Sequence, residues 1–217
     1  MEIRRTANAG VLLKLDEISI LLDGVCREVK PYLATPEAER RLLTDCWPDV
    51  LAFSHTHEDH CDPSYAAAYQ AQTGGVILCP APLPACRVSA ESFKIGGVEI
   101  TPVSSRHIGK VEASLRHVSY IISGSAGVWF LGDASPLQWK RMGALPRPDV
   151  LLLPFAYTTT PSGWELVRSL GAKEVVLLHM PDKMQDPYGL WSAVQAVCGS
   201  HPEPRLWTPG MGESLIL

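Results

Sequence analysis

The apolar positions of this chain fall mostly in short unbroken runs, the pattern of strands buried on both faces. Two runs within residues 10–22 flank Asp16-Glu17 and predict a hairpin that ends at Asp23-Gly24. Residues 49–53 predict a buried strand. Pro63 and the Tyr- and Ala-rich stretch behind it predict a helix capped by Asp62 and stopped at Thr73-Gly74-Gly75. Thr35 as cap and Pro36 as first residue predict a shorter helix inside 31–46, either a pocket rim or a solvated linker. Further strands are expected at 76–79, 93–95, 98–103, 117–122, 128–131, 149–154 and 174–178, with Gly96-Gly97 as a hairpin turn and a last strand near 214–217. Helices are expected at 161–170, where Gly171 is the stop, and over about 187–198. Strands with one helix first, then strand–helix alternation, place the chain in the α/β or α+β class.

The polar positions concentrate chemistry in one loop. Ser54-His55-Thr56-His57-Glu58-Asp59-His60-Cys61-Asp62 joins the strand at 49–53 to the helix after it. In an extended loop, alternation puts His55, His57 and Asp59 on one side and His60 on another, so one loop can serve two neighbouring metal ions. Neutral imidazole and carboxylate suit zinc, iron or manganese. Packing alone does not call for such groups, and burying them without partners is costly. Other strands also end in titratable groups. His107 follows Ser104-Ser105-Arg106, Asp133 follows Gly132, and His179 follows the run at 174–178, while His117 opens its strand. Taken alone, Asp23-Gly24 and Gly132-Asp133 are only turn signals. Tyr157 offers a phenol that either polarises a substrate oxygen or stands as a rim aromatic.

Composition narrows the partners. The 217 residues are 46% hydrophobic and 19% charged, ordinary for a globular chain with a sizeable core. A net charge of -4 and a pI of about 6.0 give no general attraction to polyanions, so nucleic acid is a poor default partner. Six scattered cysteines form no C-x-x-C pair and read as reduced thiols. Cys61, beside the His cluster, is a passive residue on this reading, with ligation or oxidation as its alternatives. Lys14, Asp16 and Glu17 interrupt the first apolar run, so no export signal forms, and no run reaches the length of a membrane span. A cytoplasmic protein is the expectation.

Read as H-x-H-x-D-H (His55, His57, Asp59, His60), the loop resembles that of the metallo-β-lactamase-fold hydrolases, and the resemblance covers nearly the whole chain. A length of 217 residues suits one domain over residues 1–217, or two tightly fused halves, and the resemblance implies an αββα four-layer sandwich. It implies that His55, His57 and His107 hold one metal and that Asp59, His60 and His179 hold the other, with Asp133 bridging. Asp23 and Asp62 are then carboxylates that support the ligands from behind. In the family pattern the third His ends a strand, which His107 does and His117 does not. His117 is left as a substrate contact or proton carrier. The implied cofactor is two divalent ions, Zn2+ first, with Mn2+ or Fe as alternatives. The implied reaction is hydrolysis of an ester, lactone, thioester, amide or phosphodiester bond in a small-molecule substrate by metal-activated hydroxide, with Asp59 and Asp133 catalytic as well as ligating. No G-x-S-x-G nucleophile pattern competes. In its compactness the chain is most similar to the branch holding ascorbate-phosphate lactonase-like and N-acyl-phosphatidylethanolamine phospholipase-like proteins. Two alternatives stay open on the same fold: an iron-dependent redox enzyme, and a metal-stabilised binding protein without catalysis. Diiron oxygen reductases of the fold usually carry Glu where His57 stands and add a flavin domain, and both features are missing here.

Overall fold

The computed structural model describes residues 1–109, 115–139, 147–200 and 204–217. Among these, two seven-stranded sheets pack face to face. The first comprises β1 (Glu2–Arg5), β2 (Val11–Leu15), β3 (Ile18–Leu22), β4 (Val50–Ala52), β5 (Val76–Leu78), β6 (Val88–Ser89) and β14 (Ser214–Ile216), in the order β14-β1-β2-β3-β4-β5-β6. The second comprises β7 (Phe93–Ile95), β8 (Val98–Ser105), β9 (His117–Ser123), β10 (Gly127–Phe130), β11 (Val150–Pro154), β12 (Glu174–Leu178) and β13 (Arg205–Trp207), in the order β13-β12-β11-β10-β9-β8-β7. Each sheet is antiparallel on one side and parallel on the other, the change falling at β3 in the first and β10 in the second.

Side-chain alternation along the central strands builds three apolar layers. Val50 and Ala52 of β4 point between the sheets, and Leu51 points outward. Val150 and Leu152 of β11 likewise face the inter-sheet core, while Leu151 and Leu153 face away. Both faces are buried, which is why these strands read as unbroken apolar runs. On the outer face of the first sheet, α1 (Glu37–Asp45) contributes Leu43 and α2 (Pro63–Thr73) contributes Tyr65, Ala66 and Tyr69. The outer face of the second is covered by α3 (Pro136–Trp139), α4 (Ala156–Thr159), α5 (Pro161–Leu170) and α6 (Leu190–Ser200), with Trp139, Tyr157, Trp164, Leu166, Trp191 and Val194 in that layer. The result is the expected αββα sandwich.

The two halves repeat one device. Pro48-Asp49-Val50-Leu51 leads into β4 and Pro148-Asp149-Val150-Leu151 leads into β11. The Asp49 N–H meets the Ser19 carbonyl at 3.0 Å and the Asp149 N–H meets the Gly127 carbonyl at 2.8 Å. The two carboxylates accept the N–H of the same two residues, at 2.8 and 2.9 Å. The same four-residue phrase therefore sets the register of the first parallel strand in each sheet.

Local expectations hold where a turn residue carries them. Asp16 and Glu17 sit at φ 50° and 65°, the left-handed pair a two-residue hairpin needs. Asp62 accepts the Ser64 N–H at the start of α2, and Gly74 (φ 64°) ends it. One expectation shifts: α1 starts at Glu37, because the Thr35 hydroxyl accepts the Cys26 N–H at 2.9 Å instead of capping the helix.

Candidate metal centre

The strands that carry the site end abruptly, and left-handed residues make the turns. Asp23 after β3 has φ 46°, Gly132 after β10 has φ 52°, and His179 after β12 has φ 60°. For Asp and His this conformation is strained by roughly 1–3 kcal/mol, and it persists only where the surroundings over-determine it. Here they do. The Asp23 N–H bonds the Ala52 carbonyl at 2.9 Å, and the His179 N–H bonds the Asn8 carbonyl at 3.0 Å. At Gly132 a Cβ would lie 2.6 Å from the Ser54 side chain, so only glycine fits.

Hydrogen bonds behind the histidines set their tautomers. The Ser54 hydroxyl donates to Asp23 Oδ2, so it accepts from His55 Nδ1 at 2.9 Å. His60 Nδ1 donates to Asp23 Oδ2 at 2.9 Å, and His107 Nδ1 donates to the Ile108 carbonyl at 2.6 Å. Neutral, all three rings turn the Nε2 lone pair inward, the arrangement metal ligation requires. Asp23 thus orients two histidines at once, one directly and one through Ser54.

The inward atoms converge without hydrogen-bond partners. His60 Nε2, His107 Nε2, His179 Nε2 and Asp133 Oδ1 are buried and unpaired. Asp133 Oδ2 lies 3.4 Å from His60 Nε2, 3.3 Å from His179 Nε2 and 3.6 Å from His107 Nε2. His179 Nε2 is 3.4 Å from Asp59 Oδ2, and His55 Nε2 is 3.0 Å from His57 Nδ1. Most of these separations exceed a good N–H···O bond. They match the edge of a tetrahedron with metal–ligand bonds of about 2.0–2.1 Å, ~3.3 Å. Two of the triads whose donor atoms all lie within 4.8 Å of one another are His55, His57, His107 and Asp59, His60, His179. Asp133 Oδ2 reaches both.

The charge balance agrees. Burial raises the Asp133 carboxyl, but His179 and His60 outweigh it and hold it well below the usual range. Burial opposes charge on His60, yet Asp133 and Asp23 lift it to about 9. His179 is likewise raised, against burial, chiefly by Asp133. Burial, helped by the neighbouring His60, keeps His55 well below its usual range. Three buried carboxylates, Asp23, Asp59 and Asp133, thus have imidazoles but no Lys or Arg salt bridge among the described residues. The donor set asks for cationic charge, which a bound metal ion would supply.

Three expected site residues take other places. His117 is 3% exposed, with Nδ1 bonded to the Ser105 hydroxyl and Nε2 to the Asp133 N–H, so both ring nitrogens are held within the protein. Tyr157 is fully buried and its phenol donates to the Ala134 carbonyl, which makes it neither an oxyanion donor nor a rim aromatic. Asp62 caps α2 and pairs with Arg40 at 2.8 Å and Arg27 at 3.3 Å; it orients the helix after the loop rather than a ligating ring.

Other groups were not singled out from the sequence. Arg5, 3% exposed, donates to the carbonyls of Ala7, Asn8, Met180 and Pro209, tying the β1–β2 turn to the segment after His179. Asn8 is 2% exposed beside His179, and neither its Nδ2 nor its Oδ1 has a protein partner. Tyr32 sets its ring edge-on to His179, centroids 4.5 Å apart. The signal available was the turn-like Asn8-Ala9-Gly10 between two strands, which marks a loop but not its destination.

Comparison with known proteins agrees with this geometry. Residues 2–179 match the family described as "Beta-lactamase superfamily domain". The chain is 25% identical, over 223 aligned residues, to the UPF0173 metal-dependent hydrolase MK1542 of Methanopyrus kandleri, covering 90% of this chain and 87% of that one. In fold it is similar to a structure described as a possible metal-dependent hydrolase from Veillonella parvula, with a TM-score of 0.73, 17% identity, and 100% and 99% of the two chains covered. It is also similar to CmlA, a diiron beta-hydroxylase from Streptomyces venezuelae, with a TM-score of 0.64, 16% identity, and 100% of this chain and 54% of that one covered. The chain belongs to the β-lactamase superfamily and has the fold of its metal-dependent hydrolases.

Proposed function

We propose that the protein is a binuclear metal-dependent hydrolase of a small molecule with an ester, lactone, thioester, amide or phosphodiester bond. The observation that carries this reading is the convergence of three buried, unpaired nitrogens, His60 Nε2, His107 Nε2 and His179 Nε2, on the Asp133 carboxylate. His55, His57 and His107 would hold one ion and Asp59, His60 and His179 the other, with Asp133 shared. Zinc is the first candidate, since N/O donors at tetrahedral-edge spacing suit it, with manganese and iron as alternatives. Bound there, two ions would supply Lewis acidity, which would lower the pKa of a bound water and neutralise charge that develops on the attacked group.

The chain's own residues do the rest. Asp133 holds its carboxylate between the two ligand groups. Asp23 and Ser54 keep His55 and His60 in the ligating tautomer. Asp59, the partly open carboxylate 3.4 Å from His179 Nε2, would take the proton of the attacking water. Tyr32, in ring contact with His179, forms an aromatic wall beside it.

The test is elemental analysis of protein purified without added metal, together with hydrolysis of bis(p-nitrophenyl) phosphate and a lactone panel. About two equivalents of zinc or manganese with turnover is the expected result. Tightly held iron with oxygen consumption would replace hydrolysis by redox chemistry. Metal without turnover on any ester, lactone or phosphodiester would leave a binding protein.

A further inference from the structure

Both ring nitrogens of His117 are held by hydrogen bonds, and the network behind them can be followed atom by atom. Begin at the carbonyl of Leu131, which can only accept. The Ser119 hydroxyl donates to it at 2.9 Å, which uses the one proton Ser119 has. The contact between Ser119 and Ser105, 3.1 Å, must then run from Ser105 to Ser119. That uses the one proton of Ser105, so the 2.7 Å contact between Ser105 and His117 Nδ1 must run from Nδ1–H to Ser105. The other end gives the same answer independently. The backbone N–H of Asp133 can only donate, and it meets His117 Nε2 at 3.0 Å, so Nε2 carries the lone pair. Both ends require a neutral ring protonated at Nδ1.

The chain starts at the N–H of Asp133 and finishes at the carbonyl of Leu131. It therefore closes around Gly132, the left-handed turn between them, where a Cβ would stand 3.0 Å from His117 Nε2. The other peptide group of Asp133 is held too, since its carbonyl accepts the Ile108 N–H at 2.8 Å, next to His107. From the next residue, Val118, the backbone N–H bonds the Ser54 carbonyl at 2.9 Å, reaching the start of the His-rich loop on the first sheet. His117 also packs against His55 and His107, with ring centroids 5.1 and 5.7 Å apart.

We propose that His117 is a positioning residue: a neutral imidazole that accepts the Asp133 N–H and, through Ser105 and Ser119, clamps the Leu131–Gly132–Asp133 turn so that the Asp133 carboxylate stands between the two ligand groups. The inference rests on the metal-centre reading for its consequence but not for its geometry. Replacing the ring separates its two nitrogens. In His117→Gln the amide reaches the place of Nε2 and can accept the Asp133 N–H. In His117→Asn it reaches only the place of Nδ1, and in His117→Phe the ring shape stays with neither.

The first measurement is a long-range 1H–15N correlation spectrum of the metal-free protein with labelled histidine. His117 should show the Nδ1–H tautomer at neutral pH; an Nε2–H tautomer overturns the clamp. The second is titration of each metal-free variant with cobalt(II), followed by its visible absorption and by stoichiometry. His117→Asn and His117→Phe should lose about 10–100-fold in affinity for the ion that depends on Asp133, with an altered spectrum, while His117→Gln stays within about threefold of the parent. Equal affinity for Phe and the parent overturns the proposal, and so does a Gln variant as weak as Phe. Ser105→Ala, which leaves the ring in place, should lose affinity in the same direction and covers the case in which Phe fails to fold. A parent protein that takes up no metal sinks the metal-centre reading alone, because the tautomer measurement still judges the clamp.

Discussion

At the scale of single residues, position matters more than charge. Asp133 is the carboxylate that both ligand groups reach, so Asp133→Ala should abolish hydrolysis and lower metal content while circular dichroism stays native. Retained turnover would remove Asp133 from the site. Its neighbour is constrained differently. Gly132 has a left-handed φ and no room for a Cβ against Ser54, so Gly132→Ala should cost roughly 2–4 kcal/mol, read as a lower urea midpoint, even though no functional atom is changed. Asn8 reverses that logic. Its buried amide has no protein partner, so Asn8→Leu should leave the metal-free melting temperature unchanged or slightly higher. A large loss of stability would show that the amide is satisfied within the fold.

At the scale of elements, Tyr157 joins α4 to the loop after Asp133 through one buried hydrogen bond to Ala134. Tyr157→Phe should therefore cost about 1–2 kcal/mol of stability and leave kcat nearly unchanged, and a large fall in kcat at unchanged stability would return the phenol to the chemistry. The sequence had presented Tyr157 as a candidate because an aromatic hydroxyl after a strand end looks the same whether it faces a pocket or a core. His117 misleads for a related reason: a His at a strand end is legible as a polar group near the site, but which of its nitrogens is occupied depends on Ser105 and Ser119, residues that pair only once β8 and β9 are in register. What was legible follows from physics local to the chain. β4, β11 and β12 are buried on both faces and so read as apolar runs. Caps and stops at Asp62, Gly74 and Gly171 are decided by residues a few positions away. β1 was missed because Glu2, Arg4 and Arg5 break its pattern, and Arg5 is buried only by virtue of carbonyls from Met180 and Pro209, far along the chain. The short strands β6 and β13, of two and three residues, carry too few positions for any period to show.

At the scale of the whole molecule, the site is a seam. His55, His57, Asp59 and His60 leave the first sheet, while His107, Asp133 and His179 leave the second. Each triad of ligands draws on both sheets, His107 completing one and His179 the other. Ions bound there would join the two halves at the ends where the strands exit, a region also held by the Ser54–Val118 backbone bond and the Arg5 cluster. An ion that binds only the native protein adds RT ln(1 + [M]/Kd), about 2.7 kcal/mol when present at a hundred times its Kd. Chelation should therefore lower the melting temperature by several degrees, and restoring zinc should recover it in a concentration-dependent way. Hydrogen exchange places the effect: on metal removal, amides at Ser54, Val118 and Asp133 should exchange faster, while those in the middle of β4 and β11, deep in the inter-sheet core, should slow or quicken only with global stability. Uniform acceleration across both sheets would mean that the ions stabilise the fold as a whole and not the seam; no change in melting temperature would mean that the ligand cluster is already complete without them.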